Sequence, residues 1–221
     1  MFTGLVLRQW LQRRKPHQLA WAVGLLFYAV AALMEFLSEY SGEWDSTVYR
    51  VYIVLAASLV AFLGLGTLYL LLHRRLWGHI YLTFTLICLV IFFVGVFTNP
   101  LVAEKLVPGI TVGGQALGPS MSFPRFMSFF FNIPGAAFLI GGALLSIWRF
   151  SRKREYSYRM WANVLIAVGA IIIAFVGSRA RAGDTTGLYA AEMVASVLLL
   201  AGFLLAGTLQ RGAKIVAKRR E

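Results

Sequence analysis

Six apolar runs set the terms for this chain. They cover residues 18–37, 48–72, 78–98, 123–148, 158–177 and 185–210, each about the 20 residues that carry an α-helix across a hydrocarbon core roughly 30 Å thick. In lipid no water satisfies backbone N–H and C=O groups, so such a run must close its hydrogen bonds within itself as a helix. The predicted fold is an all-α integral membrane protein, a bundle of six transmembrane helices. Composition points the same way, with 59% hydrophobic and 14% charged residues, where soluble domains carry about 25% charged residues. Six spans within 221 residues leave no room for a separate soluble domain, so 1–221 reads as one polytopic membrane domain.

The charges orient the bundle. Sixteen of the 21 Lys and Arg residues fall before the first run, between the second and third, around 149–159, or in the tail. The other side holds Arg50, Lys105, Arg125, Arg179 and Arg181. By the positive-inside rule both termini are cytoplasmic and the protein sits in the plasma (inner) membrane. Seven of the nine acids lie in or near the outer side: Glu35, Glu39, Glu43, Asp45, Glu104, Asp184 and Glu192. A net charge of +12 would suit nucleic acid only on a folded polar domain, which is absent, so nucleic acid is excluded as a partner. The lipid bilayer is the implied partner, with anionic lipid at the basic cytoplasmic ends.

Residues 1–17 interleave Phe2, Leu5, Val6 and Trp10 with Arg8, Arg13, Arg14 and Lys15, the pattern of a short interfacial helix ending before Pro16. A secretory signal is the rival reading, with Ala29-Val30-Ala31 as the small-x-small site, but the apolar run continues to Leu37 and is long enough to span. Residues 99–122 form a long external loop rich in Gly and Pro, without a clear helix or strand, suited to fold over the bundle mouth as a lid or to lie on the surface as a spacer. Residues 211–221 are a basic cytoplasmic tail. A weak helical-hairpin repeat pairs Gly64-Leu65-Gly66 and Phe93-Val94-Gly95 with Gly141-Gly142 and Phe175-Val176-Gly177. Repeats of this kind recur in transporters, although short apolar matches also arise by chance.

Small residues at Gly64/Gly66, Ala137/Gly141 and Gly142/Ser146 are predicted helix-packing faces. Pro134 removes one backbone hydrogen bond and should kink or loosen its helix. Cys88, the one cysteine, permits no internal disulfide and no multi-cysteine metal site.

The candidate site is a polar cluster on the outer side. Glu35 closes the first run, Tyr49 and Arg50 open the second, and Glu192 lies about two turns into the sixth. Asn132 and Arg125 belong to the fourth. Ionisable groups at membrane depth cost on the order of 2.5–3.5 kcal/mol each and usually face a partner or a watery cavity. Glu35, Arg50, Glu192, Tyr49, Asn132 and Arg125 are therefore the predicted ligand-binding residues, with a helix-ordering ion-pair network as the structural alternative. His17, His73 and His79 share the cytoplasmic side without an aspartate, too few ligands for a metallohydrolase or a bis-His haem, so no metal is assigned and any cofactor is unknown. No nucleophile elbow or phosphate loop is present, and Ser120 and Ser122 have no histidine on their side, so no catalytic residue is assigned. Phe126, Phe129, Phe130 and Phe131 with Met121 and Met127 form an apolar patch that suits lipid packing or an apolar ligand such as a quinone.

Three roles remain open on the sequence: a protein that binds or passes a small or amphipathic ligand through an outward-facing polar cavity; a non-transporting scaffold or accessory subunit that docks a second copy or another membrane protein; and a lipid- or quinone-handling membrane enzyme.

Overall fold

The computed structural model describes residues 2–72, 74–107, 114–119, 121–151, 157–181, 184 and 186–218. Among the described residues seven α-helices follow one another: α1 (Phe2–Arg13), α2 (Pro16–Ser41), α3 (Ser46–Leu71), α4 (Arg75–Thr98), α5 (Phe123–Ser151), α6 (Ser157–Arg181) and α7 (Leu188–Lys218). Among the described residues there is no strand, and the long loop adds two short 3-10 turns, Ala103–Lys105 and Gln115–Leu117, where the sequence showed no regular element. Each apolar run coincides with one of α2 to α7 to within a few residues. Five stretches are long and apolar enough to cross a membrane: α2, α3, α4, Phe123–Arg149 and Met160–Gly177. In α7 the described apolar stretch, Leu188–Gly202, is shorter. The architecture is that of a helical membrane-integral protein.

α4 shows why. Its buried positions Tyr81, Thr85, Cys88, Phe92 and Val96 recur at helical spacing, while Ile80, Phe84, Ile87, Val90, Ile91 and Val94 are exposed on the remaining face. A helix of a water-soluble bundle would carry polar residues there. The helix ends follow local chemistry. α1 stops at Arg13, Arg14 takes a positive φ of 50°, and α2 restarts with Pro16 in its first turn, where the missing N–H costs nothing. α1 lies along α2 with Val6 fully buried.

The chain divides into two compact units, Met1–Leu139 with Gly177–Thr186, and Ile140–Val176 with Gly187–Glu221. In the first, α3 is the central helix. The Trp21 indole of α2 packs on Gly66 and donates Nε1–H to the Leu63 carbonyl at 3.1 Å. On another face, Gly64 meets Gly135 of α5 backbone to backbone, and a Cβ built on Gly135 would stand 2.7 Å from the Ala61 Cα. α4 joins through Tyr81, whose hydroxyl donates to the Phe131 carbonyl at 3.3 Å, and through Phe92, edge-on to Phe131 at 5.5 Å. α5 continues as a helix through Pro134.

In the second unit α6 and α7 run antiparallel. A Cβ on Gly169 would meet the Ala195 carbonyl at 3.0 Å, and one on Gly202 the Ala162 carbonyl at 2.7 Å. Gly141, assigned from the sequence to a packing ridge, is exposed with nothing within 4 Å among the described residues. The phenylalanine patch also divides: Phe126 and Phe130 stack edge-on at 5.3 Å on the exposed side, whereas Phe131 is wholly buried.

Candidate functional site

The turn between α2 and α3 is built by its own backbone bonds. Gly42, at φ 76°, takes the left-handed conformation that ends α2, and its N–H reaches the Ser38 carbonyl at 3.1 Å. Asp45 then caps α3, accepting from Thr47 N–H at 2.8 Å and Val48 N–H at 3.0 Å. These bonds, that from Val48 first, hold the Asp45 carboxyl below its ordinary range.

Trp44, just before the cap, folds back over α3. Its ring meets Tyr49 at 5.9 Å and Tyr52 at 5.0 Å, and all three side chains are buried. A large apolar residue before the N-cap packing on the fourth helical residue is the hydrophobic staple, which fixes the angle at which the chain enters the helix. The aromatic triad is thus a direct product of the Trp44-Asp45 pair.

The long loop is strapped over this end of the first unit by two arginines. Arg50 donates Nη2–H to the Asn99 carbonyl at 3.0 Å and sets its guanidinium over the Phe97 ring at 5.9 Å. Arg125 donates Nη1–H to the Gly118 carbonyl at 2.7 Å. Between these points Val102 N–H bonds the Ala116 carbonyl at 2.8 Å, which ties the two 3-10 turns together. Within the loop Ala116 and Leu117 are buried, and Gly114, at φ 79°, packs on the Ile53 side chain. Loop residues 108–113 and 120, which include Ile110, Val112 and Ser120, lie outside the described residues.

Four buried polar atoms of this region have no hydrogen-bond partner among the described residues. Trp44 Nε1, Tyr49 Oη, Arg50 Nη1 and Ser122 Oγ are buried and complete no hydrogen bond with the described residues. Tyr49 is fully buried, its ring 5.9 Å from that of Trp44. Ser122 adjoins Gly118, the residue that Arg125 holds. Buried polar groups are nearly always paired with protein or ordered water, so each such atom calls for a physical reason.

No family model, curated protein or solved structure matches the chain. Its chemistry has to be read from its own residues.

Of the six residues singled out in the sequence, Tyr49, Arg50 and Arg125 meet at this loop end. Glu35 is buried near the end of α2 and is engaged within the protein. Asn132 is buried but bonds its own helix, donating Nδ2–H to the Ser128 carbonyl at 3.0 Å. Glu192 belongs to the second unit and has a partner of its own, and its backbone carbonyl accepts from Ser196 Oγ at 2.7 Å. Arg179 pairs with Asp184, its Nε 3.1 Å from Oδ2. The Arg181 side chain lies outside the described residues.

Trp44, Tyr52, Asn99 and Ser122 were not among the residues picked from sequence. The staple pattern, an aromatic residue before an Asp cap and another at the fourth helical position, was the signal available for the first. Two histidines have aromatic neighbours: His17 packs edge-on to Trp21 at 5.4 Å, and His79 Nδ1 lies 3.0 Å from the Tyr69 hydroxyl. His73 lies outside the described residues.

Proposed function

We propose that this is a six-span inner-membrane protein, both termini cytoplasmic, that binds a small ligand at its outer end beneath the 99–122 loop. The observation that carries the reading is the set of buried, unpaired polar atoms on Trp44, Tyr49, Arg50 and Ser122. Leaving a buried polar group unpaired costs about 1–3 kcal/mol, more where it is charged. A partner that supplied the missing bonds would offset that cost. The strap from Arg50 to Asn99 and from Arg125 to Gly118 supplies a cover for such a partner. The small-residue approaches at Gly64, Gly169 and Gly202 are filled from within the chain, which weakens the scaffold reading.

Tyr49→Phe tests the reading through two effects of opposite sign. Removing an unpaired buried hydroxyl should stabilise the ligand-free protein by about 1 kcal/mol, while the same change removes one bond to the ligand. Native mass spectrometry of detergent-purified protein should show a retained mass in the wild type that is lost or diminished in the variant. A clean apo mass in both proteins, with a defined oligomer or copurifying partner, would overturn the binding reading in favour of a scaffold.

A further inference from the structure

We infer that the end of the first unit where the α1–α2 and α3–α4 junctions meet is a binding surface for anionic phospholipid headgroups. This surface lies at the opposite end of α2 and α3 from the ligand site proposed above, and shares with that reading only the cytoplasmic placement of the N terminus. The packing of α2 on α3 brings the two junctions together. Trp21 of α2 lies on Gly66 of α3 and bonds the Leu63 carbonyl at 3.1 Å. Lys15 stands six residues before Trp21, and α3 ends five residues after Gly66 at Leu71, about 9 Å and 8 Å along the two axes. α4 starts beside that end, with Gly78 against the Tyr69 ring and His79 Nδ1 3.0 Å from the Tyr69 hydroxyl. Arg14, Lys15, Arg74 and Arg75 are all exposed here, with Arg13 beside them. No Asp or Glu occurs in residues 1–34 or 46–103, and Glu35, the first acid, lies 20 residues along the chain from Lys15, about 30 Å of helix away. The helices that build this end therefore bring no carboxylate to it. Their starts agree: α3 opens on the Asp45 cap at the opposite end, whereas α2 and α4 open here on Lys15 and Arg74, with no side-chain cap and no acid in the first turn, so the positive ends of two helix dipoles add to the cations.

Depth and neighbours select a lipid over a soluble anion. α2 and α3 have 26 residues each and α4 has 24, about 36–39 Å of helix against a hydrocarbon core about 30 Å thick. Their ends therefore reach the headgroup layer, where a cation meets lipid phosphates. Exposed apolar side chains flank the cations: Leu11 and Leu19 on either side of Arg14-Lys15, and Leu72, Leu76 and Trp77 around Arg74-Arg75. The Arg14 guanidinium sits over the Trp10 ring at 4.8 Å, and indole rings favour the same layer. Guanidinium groups take phosphate oxygens through paired N–H bonds, and the leucines offer contact to the acyl chains of the same molecule. A soluble anion would use the charges alone.

The test is thermal unfolding of the full chain in maltoside detergent, titrated with short-chain phosphatidylglycerol. Phosphatidylcholine of the same chain length and inorganic phosphate are the comparison probes. Phosphatidylglycerol should stabilise the wild type saturably, and the other two should not. A double variant, Arg14→Gln with Lys15→Gln, should weaken the apparent Kd at least fivefold, about the factor that one cation contributes near an anionic surface. Arg74→Gln with Arg75→Gln should weaken it in the same direction. All four side chains are exposed, so unfolding without lipid should stay near wild type in both. Arg14→Lys keeps the charge and should hold the Kd within about twofold. Tyr49→Phe, which tests the ligand site at the opposite end, should leave it unchanged, so either proposal can fail while the other stands. No response to phosphatidylglycerol, equal stabilisation by phosphatidylcholine, or a Kd unchanged in both double variants would overturn the surface. Inorganic phosphate acting as well as phosphatidylglycerol would assign it to a soluble anion instead. A copurifying protein in the native mass spectrum, lost in the double variants, would assign it to a protein partner.

Discussion

The closest helix contact gives the sharpest stability test. Gly135→Ala places a methyl group 2.7 Å from the Ala61 Cα, 2.8 Å from the Val60 carbonyl oxygen and 2.9 Å from the Ala61 nitrogen. Carbon atoms prefer about 3.5–4.0 Å, so α3 and α5 must part by about 1 Å. The obstacle is backbone on a central helix, which cannot rotate aside as a side chain would. Overpacking of this kind costs about 1–3 kcal/mol, and the better helix propensity of alanine returns about 0.5–1 kcal/mol. A net loss of roughly 1–2.5 kcal/mol corresponds to a fall in Tm of about 2–10 °C for a chain of this size. The assay is thermal unfolding in one detergent, followed by tryptophan fluorescence. Gly141→Ala is the control, because nothing lies within 4 Å of that position, and it should match or slightly exceed the wild type. Gly64→Ala should resemble Gly135→Ala, and the double variant should lose less than the sum, since helices already parted admit the second methyl cheaply. Equal Tm values for Gly135→Ala and Gly141→Ala, at or above wild type, would refute the crossing.

Two further outcomes concern carboxylates outside the spans. Asp184 is depressed from 3.8 to about 2, first by its bond from Arg179 and then by the Thr186 N–H, so its stabilising contribution is complete above pH 3.8 and is lost as pH falls toward 2. Arg179→Gln should move the Asp184 carboxyl-carbon NMR titration back toward the ordinary range, and an unchanged midpoint would remove the pair; the pair is exposed, so salt should shrink the effect. Asp45 is likewise depressed, by Val48 and Thr47 N–H bonds, and its cap should weaken on acidification below the ordinary carboxylate range. Asp45→Ala should lower Tm and alter Trp44 emission at neutral pH. Asp45→Asn should keep the cap and lose the pH dependence, because asparagine caps as well as aspartate, and equal behaviour of the two variants would count against the capped turn.

The helices were legible because their cause is local. An apolar run of sufficient length has one way to satisfy its backbone in lipid, and Pro16, Gly42 and Asp45 mark ends by chemistry that acts within a few residues. Partner choice was not legible in the same way. Gly141 and Gly64 sit in similar small-residue contexts, yet one is exposed and the other lies on Gly135. Which face of a helix meets a neighbour depends on rotation about its axis, and the small-residue pattern of one helix does not fix that rotation. The aromatic triad lay between these cases. Its staple is local and readable in principle, but Trp44 also fits the interfacial belt expected at any span end, and that more general reading obscured it.

The arginines show how the structure changes the reading of the site. At membrane depth a cation invites a search for a carboxylate, hence the helix-ordering ion-pair network that stands as the alternative reading of the sequence. A long loop without regular structure, however, leaves backbone carbonyls without partners, and a nearby guanidinium satisfies them. Arg50 and Arg125 both do this, at Asn99 and Gly118. A carbonyl accepts at most two N–H groups while a guanidinium carries five, so one carbonyl does not use all the donors of an arginine. At Arg50 one such donor, Nη1, is buried. Arg50 thus joins α3 to the start of the loop through a backbone carbonyl. The two arginines therefore anchor the loop towards both of its ends, at Asn99 and at Gly118.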